Sequence, residues 1–216
     1  MSTLAIQEFA DTKAPKWLQT MSSMPFACTE CGKCCQRKDG DVYMSDKEVS
    51  KAAQFLNMDE TTFIQTYSDH VLYDDNRNMI WLHMKNNKRT NNADDADGSS
   101  SSCVFLNEET KHCQIYPARP LQCIAYPFYP DLLSSPQNWN EECRRRDDDL
   151  ESPLPAWTPA TMGCEGMRPI DSTDTYIKND DDEEEKEGFP MDKVYELLYK
   201  YQRYERDMYS KRRASF

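Results

Sequence analysis

Glycine is scarce in this chain, with six in 216 residues, and neither a phosphate-cradling glycine loop nor a dinucleotide-binding fingerprint can be assembled from so few. Histidine is scarcer still, at three. No nucleophile and base pair stands out, so the chain carries no recognisable catalytic motif and cofactor-free acid–base chemistry has little to rest on. Long apolar runs are also missing. The most apolar short stretch, Met79 to Leu82, falls far below the ~18 residues that span a bilayer, so no membrane partner is expected. The first residues, MSTLAIQEFADTKAP, have no basic region followed by an apolar one, and Glu8 and Asp11 argue against an acid-poor transit peptide. The expected location is the cytoplasm or another reducing intracellular compartment. Positive charge is short as well: 26 Lys and Arg face 38 Asp and Glu, a net −12, which makes nucleic acid an unexpected partner.

Cysteine is what the chain has in excess. With 38% hydrophobic and 30% charged residues, it is poor in core-forming side chains and needs help closing a core. Nine cysteines are the obvious help. In a reducing compartment such a pattern reads as metal-binding or redox-active rather than as a set of disulfides.

Residues 28 to 35 read CTECGKCC. Two intervening residues let successive sulfurs of Cys28, Cys31 and Cys34 converge on one ion with ordinary backbone geometry, and Gly32 can supply the left-handed turn. Cys34 and Cys35 are adjacent, and in an extended segment neighbouring side chains point to opposite sides. The pair is therefore expected to be split between two centres, or to hold one ligand and one thiol that packs or does redox work. Cys103, Cys113 and Cys123 follow with nine residues between successive members, and Cys164 closes the set. Leaving out Cys143, which reads as a spare thiol, eight remain. They suit two four-thiolate sites, or one such site with reserve thiols. Thiolates need nearby cations or amide donors: Lys33, Arg37 and Lys38 surround the first group, and Arg119 lies between Cys113 and Cys123, either favouring thiolate or stacking on Tyr116 or Tyr126. His112 adjoins Cys113 and reads as a turn histidine more readily than as a ligand.

Residues 1–24 carry a weak helical signal around Leu4, Trp17 and Leu18 and read as an N-terminal arm. Ser45 and Glu48 form a capping box, opening a helix from Asp46 to about Asn57 whose Val49, Ala52, Ala53 and Leu56 share one face. Asp59 caps a second helix with Phe63 and Tyr67 inward. Val71–Tyr73 and Met79–Met84 flank a turn-forming run and predict a hairpin. Residues 85–102 hold no large apolar side chain and read as a disordered insertion. His112–Tyr116 reads as a short strand, and Pro117 as the first position of a short helix carrying Arg119 and Cys123. Residues 25–170 thus form a cysteine-rich metal-chelating domain, 171–190 an acidic linker, and 191–216 a C-terminal helix with Val194, Leu198, Tyr201 and Met208 near one face. The run 180–187 holds seven acids and one lysine, a solvated stretch that, with the final helix, could also recruit a basic protein partner. The expected fold class is small α+β, metal-stabilised and loop-rich, with short helices and a few short strands around cysteine metal sites and a separate C-terminal helix.

Phe26-x-Cys28-x2-Cys31-Gly32-x-Cys34-Cys35, Cys103-x-Phe105-Leu106 and Cys113-x-Ile115-Tyr116-x2-Arg119-Pro120-x2-Cys123-x3-Pro127-Phe128 resemble the YkgJ-type zinc- or iron-chelating domain, the CxxCxxCC cysteine-cluster family, over roughly residues 25–167. The resemblance implies metal chelation by these cysteines, and a related domain occurs in proteins linked to flagellin lysine methylation. The family pattern ends in a cysteine followed by Pro-Gly, whereas Cys164 is followed by Glu165-Gly166. Sulfur ligands select zinc or iron, iron–sulfur clusters included, over magnesium, calcium or manganese. The expectation is a metal-binding protein, a structural or binding module holding zinc or iron through Cys28, Cys31, Cys34, Cys35, Cys103, Cys113, Cys123 and Cys164. The alternative is an iron or iron–sulfur enzyme component in redox or protein-methylation chemistry.

Overall fold

The structure, a computed structural model, describes residues 3–36, 41–73, 79–88, 101–170 and 188–213. In chain order the elements are α1 (Thr3–Thr12), β1 (Ser23–Met24), β2 (Tyr43–Ser45), α2 (Asp46–Phe55), α3 (Glu60–Tyr67), β3 (Ser68–Tyr73), β4 (Met79–Met84), β5 (Asn86–Lys88), β6 (Ser101–Cys103), α4 (Leu121–Ala125), α5 (Pro136–Glu142), β7 (Phe189–Pro190) and α6 (Met191–Arg213). Single 3-10 turns lie at Leu18–Thr20, Lys33–Cys35 and Tyr116–Ala118. The class is small α+β, with every named strand pair antiparallel. Among the described residues no helix is long and apolar enough to cross a membrane. Two compact units divide the chain: unit one takes residues 1–29, 125–157 and 163–203, unit two residues 30–124, 158–162 and 204–216.

Unit one is built on aromatic packing. Trp139 on α5 is completely buried and lies parallel to Phe128, with ring centroids 6.1 Å apart. Phe26 meets Phe128 edge-on at 5.4 Å. Residues 3–24, read from sequence as an arm, belong to this core: Phe9 on α1, Leu18 and Met24 are buried in it, and Phe9 packs edge-on against Tyr199 at 5.3 Å. Short sequence windows cannot show contacts between residues so far apart in the chain. Polar ends of the large side chains are satisfied by distant carbonyls: Trp17 Nε1 donates to Leu133, Trp139 Nε1 to Arg168 and the Tyr195 hydroxyl to Leu18. Val194 and Leu198 of α6 join the same core, and β1 pairs with β7.

Unit two is a three-stranded sheet in the order β2-β4-β3 with α2 and α3 alongside. Val49, Ala52 and Ala53 bury one face of α2 with Phe63 of α3, Met44, Leu82 and Phe105. Asp59 Oδ1 accepts from the amide of Thr62, which starts α3 as its sequence implies. The predicted hairpin is present as β3 and β4, and its turn, 74–78, lies outside the described residues. Tyr204 of α6 donates to the carbonyl of Tyr43 and sits edge-on to Trp81.

Glu48 does more than close the capping box. Its carboxylate accepts from the Ser45 amide and hydroxyl, each at 2.8 Å, and from the Leu121 amide at 2.6 Å. One side chain therefore starts α2 and anchors the first residue of α4, the helix that carries Cys123. Glu48→Ala is expected to cost about 2–3 kcal/mol, because hydrogen bonds to a charged group are worth about 1.5–3 kcal/mol and a lost cap about 1 kcal/mol. Urea denaturation checks this as a lower midpoint at unchanged slope.

Three sequence expectations in this unit need correction. The ends of the 85–102 insertion are ordered: Asn86, Asn87 and Lys88 pair with Cys103, Ser102 and Ser101, and Ser102 is buried with its hydroxyl on Glu108. A backbone ladder needs no large apolar side chain, so composition concealed it. Residues 89–100 lie outside the described residues, as do Arg37, Lys38 and the acidic run 180–187 within the 171–190 linker. The expected helix after Pro117 splits into the Tyr116–Ala118 turn and α4, because Pro120 holds Arg119 extended, at φ −54° and ψ 145°. Likewise the strand expected at His112–Tyr116 is reduced to a bridge between Leu106 and Cys113.

Candidate metal centre

Gly32 sits at φ 70°, and a Cβ there would lie 2.3 Å from the Lys111 carbonyl oxygen, so this position requires glycine on both counts. The turn it starts, Lys33–Cys35, is 3-10 rather than extended. The Cys35 amide donates to the Gly32 carbonyl at 3.0 Å. As a result the Cys34 and Cys35 sulfurs lie on one side, 4.0 Å apart. This corrects the expectation that adjacent cysteines face apart, which holds only for extended backbone. With Zn–S bonds of about 2.3 Å, two sulfurs on one tetrahedral ion are about 3.8 Å apart, so the pair already has nearly that spacing.

Three further thiols stand near this pair: Cys103 ends β6, Cys113 follows the Asn107–His112 turn, and Cys123 lies on α4. Hydrogen bonding with Cys34 raises the Cys35 thiol far above the usual range, and burial and the charges of Cys34, Cys103 and Cys123 add to it. Burial likewise lifts Cys123 well up, reinforced by Cys103, Cys34 and Cys113 and opposed by Arg119. Cys103 is pushed to about 11, chiefly by burial and then by Cys113 and Cys34. Burial also raises Cys113, against Arg119, which pulls it down. The Arg119 guanidinium lies 3.6 Å above the Tyr116 ring and donates to its carbonyl. Both sequence readings of Arg119 therefore hold: it stacks, and its charge favours two thiolates.

Cys34, Cys35, Cys103, Cys113 and Cys123 thus form one thiol neighbourhood within unit two, with Cys31 half-buried just before the turn. Among the described residues no three sulfurs lie within 4.8 Å of one another, so an ion held by four of them would draw the others toward the Cys34–Cys35 pair. The donors fit such an ion: all are soft sulfur, and a cation beside neighbouring thiols offsets the repulsion between their thiolates.

Cys28 and Cys164 belong to unit one. Residues 25–29 run antiparallel to 164–168 through Ala27 N to Gly166 O, 3.0 Å, and Arg168 N to Pro25 O, 2.9 Å, with the Thr29 hydroxyl on Glu165. The segments approach so closely that a Cβ on Gly166 would meet the Ala27 carbonyl oxygen at 2.3 Å. Cys143 is fully buried in the unit-one core, its Sγ directed at the Trp139 carbonyl. Burial pushes that thiol to about 12, so Cys143 behaves as a packed apolar side chain, while its backbone pairs with that of Cys164.

His112, the histidine weighed as a ligand, is 63% exposed and 3.9 Å from Glu30. The histidines that come together are instead His70 and His83, with Asp69. They are too far apart in sequence to form a recognisable spacing, and neither adjoins a cysteine.

A family model, CxxCxxCC, described as a putative zinc- or iron-chelating domain, matches residues 27–147, more than half of the chain. The matched span contains the whole unit-two thiol cluster, and Cys164 lies beyond it. No solved structure matches the chain.

Proposed function

The chain belongs to the CxxCxxCC family, and from that premise we propose that it is a metal-chelating module that grips zinc or iron through the thiolates of Cys34, Cys35, Cys103, Cys113 and Cys123. The observation that carries this reading is the gathering of those five thiols from separate stretches of chain, led by the 4.0 Å Cys34–Cys35 pair. Neighbouring thiolates repel one another, and a bound divalent ion supplies the charge that lets them ionise together. Gly32 shapes the turn, Glu48 anchors α4, and Arg119 adds positive charge. Cys31, just before the turn, is a further donor within unit two, and Cys28 and Cys164, on their paired segments, are donors within unit one. The role is structural or binding rather than catalytic: an ion closed in by four protein ligands has no position left for substrate. Elemental analysis of protein purified without added metal, with a visible spectrum recorded under argon, tests this. Stoichiometric zinc in a colourless protein, or iron with thiolate or cluster absorption, is the expected result. Metal-free, folded protein that takes up neither ion overturns it.

A further inference from the structure

The pairing of β3 with β4 slips by one residue. Ser68 faces Met84 and His70 faces His83, which leaves Asp69 as the extra residue of a bulge. In a regular strand Asp69 and His70 would point to opposite faces. The bulge sets both against the same partner. One Asp69 oxygen, Oδ1, lies 2.6 Å from His83 Nδ1 and 2.7 Å from His70 Nδ1, and the two imidazole rings are 4.4 Å apart. On the other side of the His83 ring, Nε2 lies 3.1 Å from Asp41 Oδ1. The His83 side chain is only 9% exposed and is held by the Tyr43 ring, 4.9 Å away. Among the described residues no lysine or arginine pairs with Asp41 or Asp69. The nearby Lys85 ammonium is taken up by the carbonyls of Gln65 and Thr66.

We propose that Asp69, His70 and His83 form a second metal site, separate from the thiols, for a borderline divalent cation of the zinc, nickel or copper class. The ligands are a carboxylate oxygen of Asp69 and Nδ1 of each imidazole. Their ligand atoms lie within 4.8 Å of one another, and imidazole with carboxylate suits these ions where thiolate is not available. Asp41 completes the arrangement from outside. A metal-bound histidine commonly donates its other ring proton to a carboxylate, which fixes its tautomer and orientation. With the cation on Nδ1, neutral His83 keeps its one proton on Nε2, where Asp41 accepts it. Three protein ligands leave a position for water, unlike a closed four-sulfur site.

The test uses the full chain titrated with zinc, read by imidazole nitrogen NMR together with zinc stoichiometry. Zinc is expected to give the large shifts of direct coordination at Nδ1 of His70 and His83 and none of that size at His112, which only adjoins the thiol ligand Cys113. His70→Ala, at a half-exposed position, should bind one equivalent of zinc fewer than the parent chain, as should Asp69→Asn, while His112→Ala should retain the full amount. Undiminished stoichiometry in His70→Ala, or imidazole signals that zinc does not move, would mean a hydrogen-bonded cluster only and would overturn the site. The two readouts separate failure here from failure of the thiol reading: loss of the thiol site lowers the zinc bound while the imidazole signals still respond, and loss of this site leaves zinc on the thiols with imidazole signals that do not move.

Discussion

Replacing Cys123 with serine is expected to lower the metal affinity of the thiol cluster about 10²–10³-fold and to loosen unit two with it. Structural zinc sites contribute on the order of 10–16 kcal/mol, so one thiolate of four carries about 3–4 kcal/mol, and each 1.4 kcal/mol is tenfold. Cys123 is the right probe because α4 holds it against Cys103, Cys34 and Cys113, and because serine keeps its size while removing the soft donor. Competition with a coloured zinc chelator measures the loss, and circular dichroism follows the helices. Cys143→Ala is the matched control: its sulfur is packed in the core of unit one, so it should cost stability without lowering metal content. Full metal affinity in Cys123→Ser would remove the thiol cluster from consideration.

The second large effect lies in packing. Trp139→Ala should destabilise unit one by about 3–5 kcal/mol, the usual cost of deleting a buried aromatic side chain. The residue is completely buried and packs with Phe128, and its Nε1 donates to the Arg168 carbonyl at 2.9 Å. Alanine leaves both a cavity and an unsatisfied carbonyl. At about 2–4 °C per kcal/mol for a chain of this size, the unfolding midpoint should fall by roughly 10 °C. A drop of only a degree or two in calorimetry would show that the aromatic core is not what holds unit one.

Local chemistry made part of this fold readable in advance. Ser45 and Glu48 specify the start of α2, Asp59 that of α3, and the apolar runs at Val71–Tyr73 and Met79–Met84 the hairpin, because caps and strand patterns act over a few neighbouring residues. Gly32 was readable for the same reason. Phe9 and Leu18 were not, since the residues that bury them lie far away in the chain. Nor was the β5–β6 pair, whose ladder is made by backbone groups common to every sequence.

The amino-acid order alone determined the family, the soft-donor chemistry and the capped helices, since each is written in residue types at short, fixed spacings. Tertiary structure decided which thiols meet, that Cys34 and Cys35 face the same way, and that a one-residue bulge sets Asp69 and His70 against His83. These outcomes depend on backbone angles and on contacts between distant segments, and a linear string of side chains leaves both open.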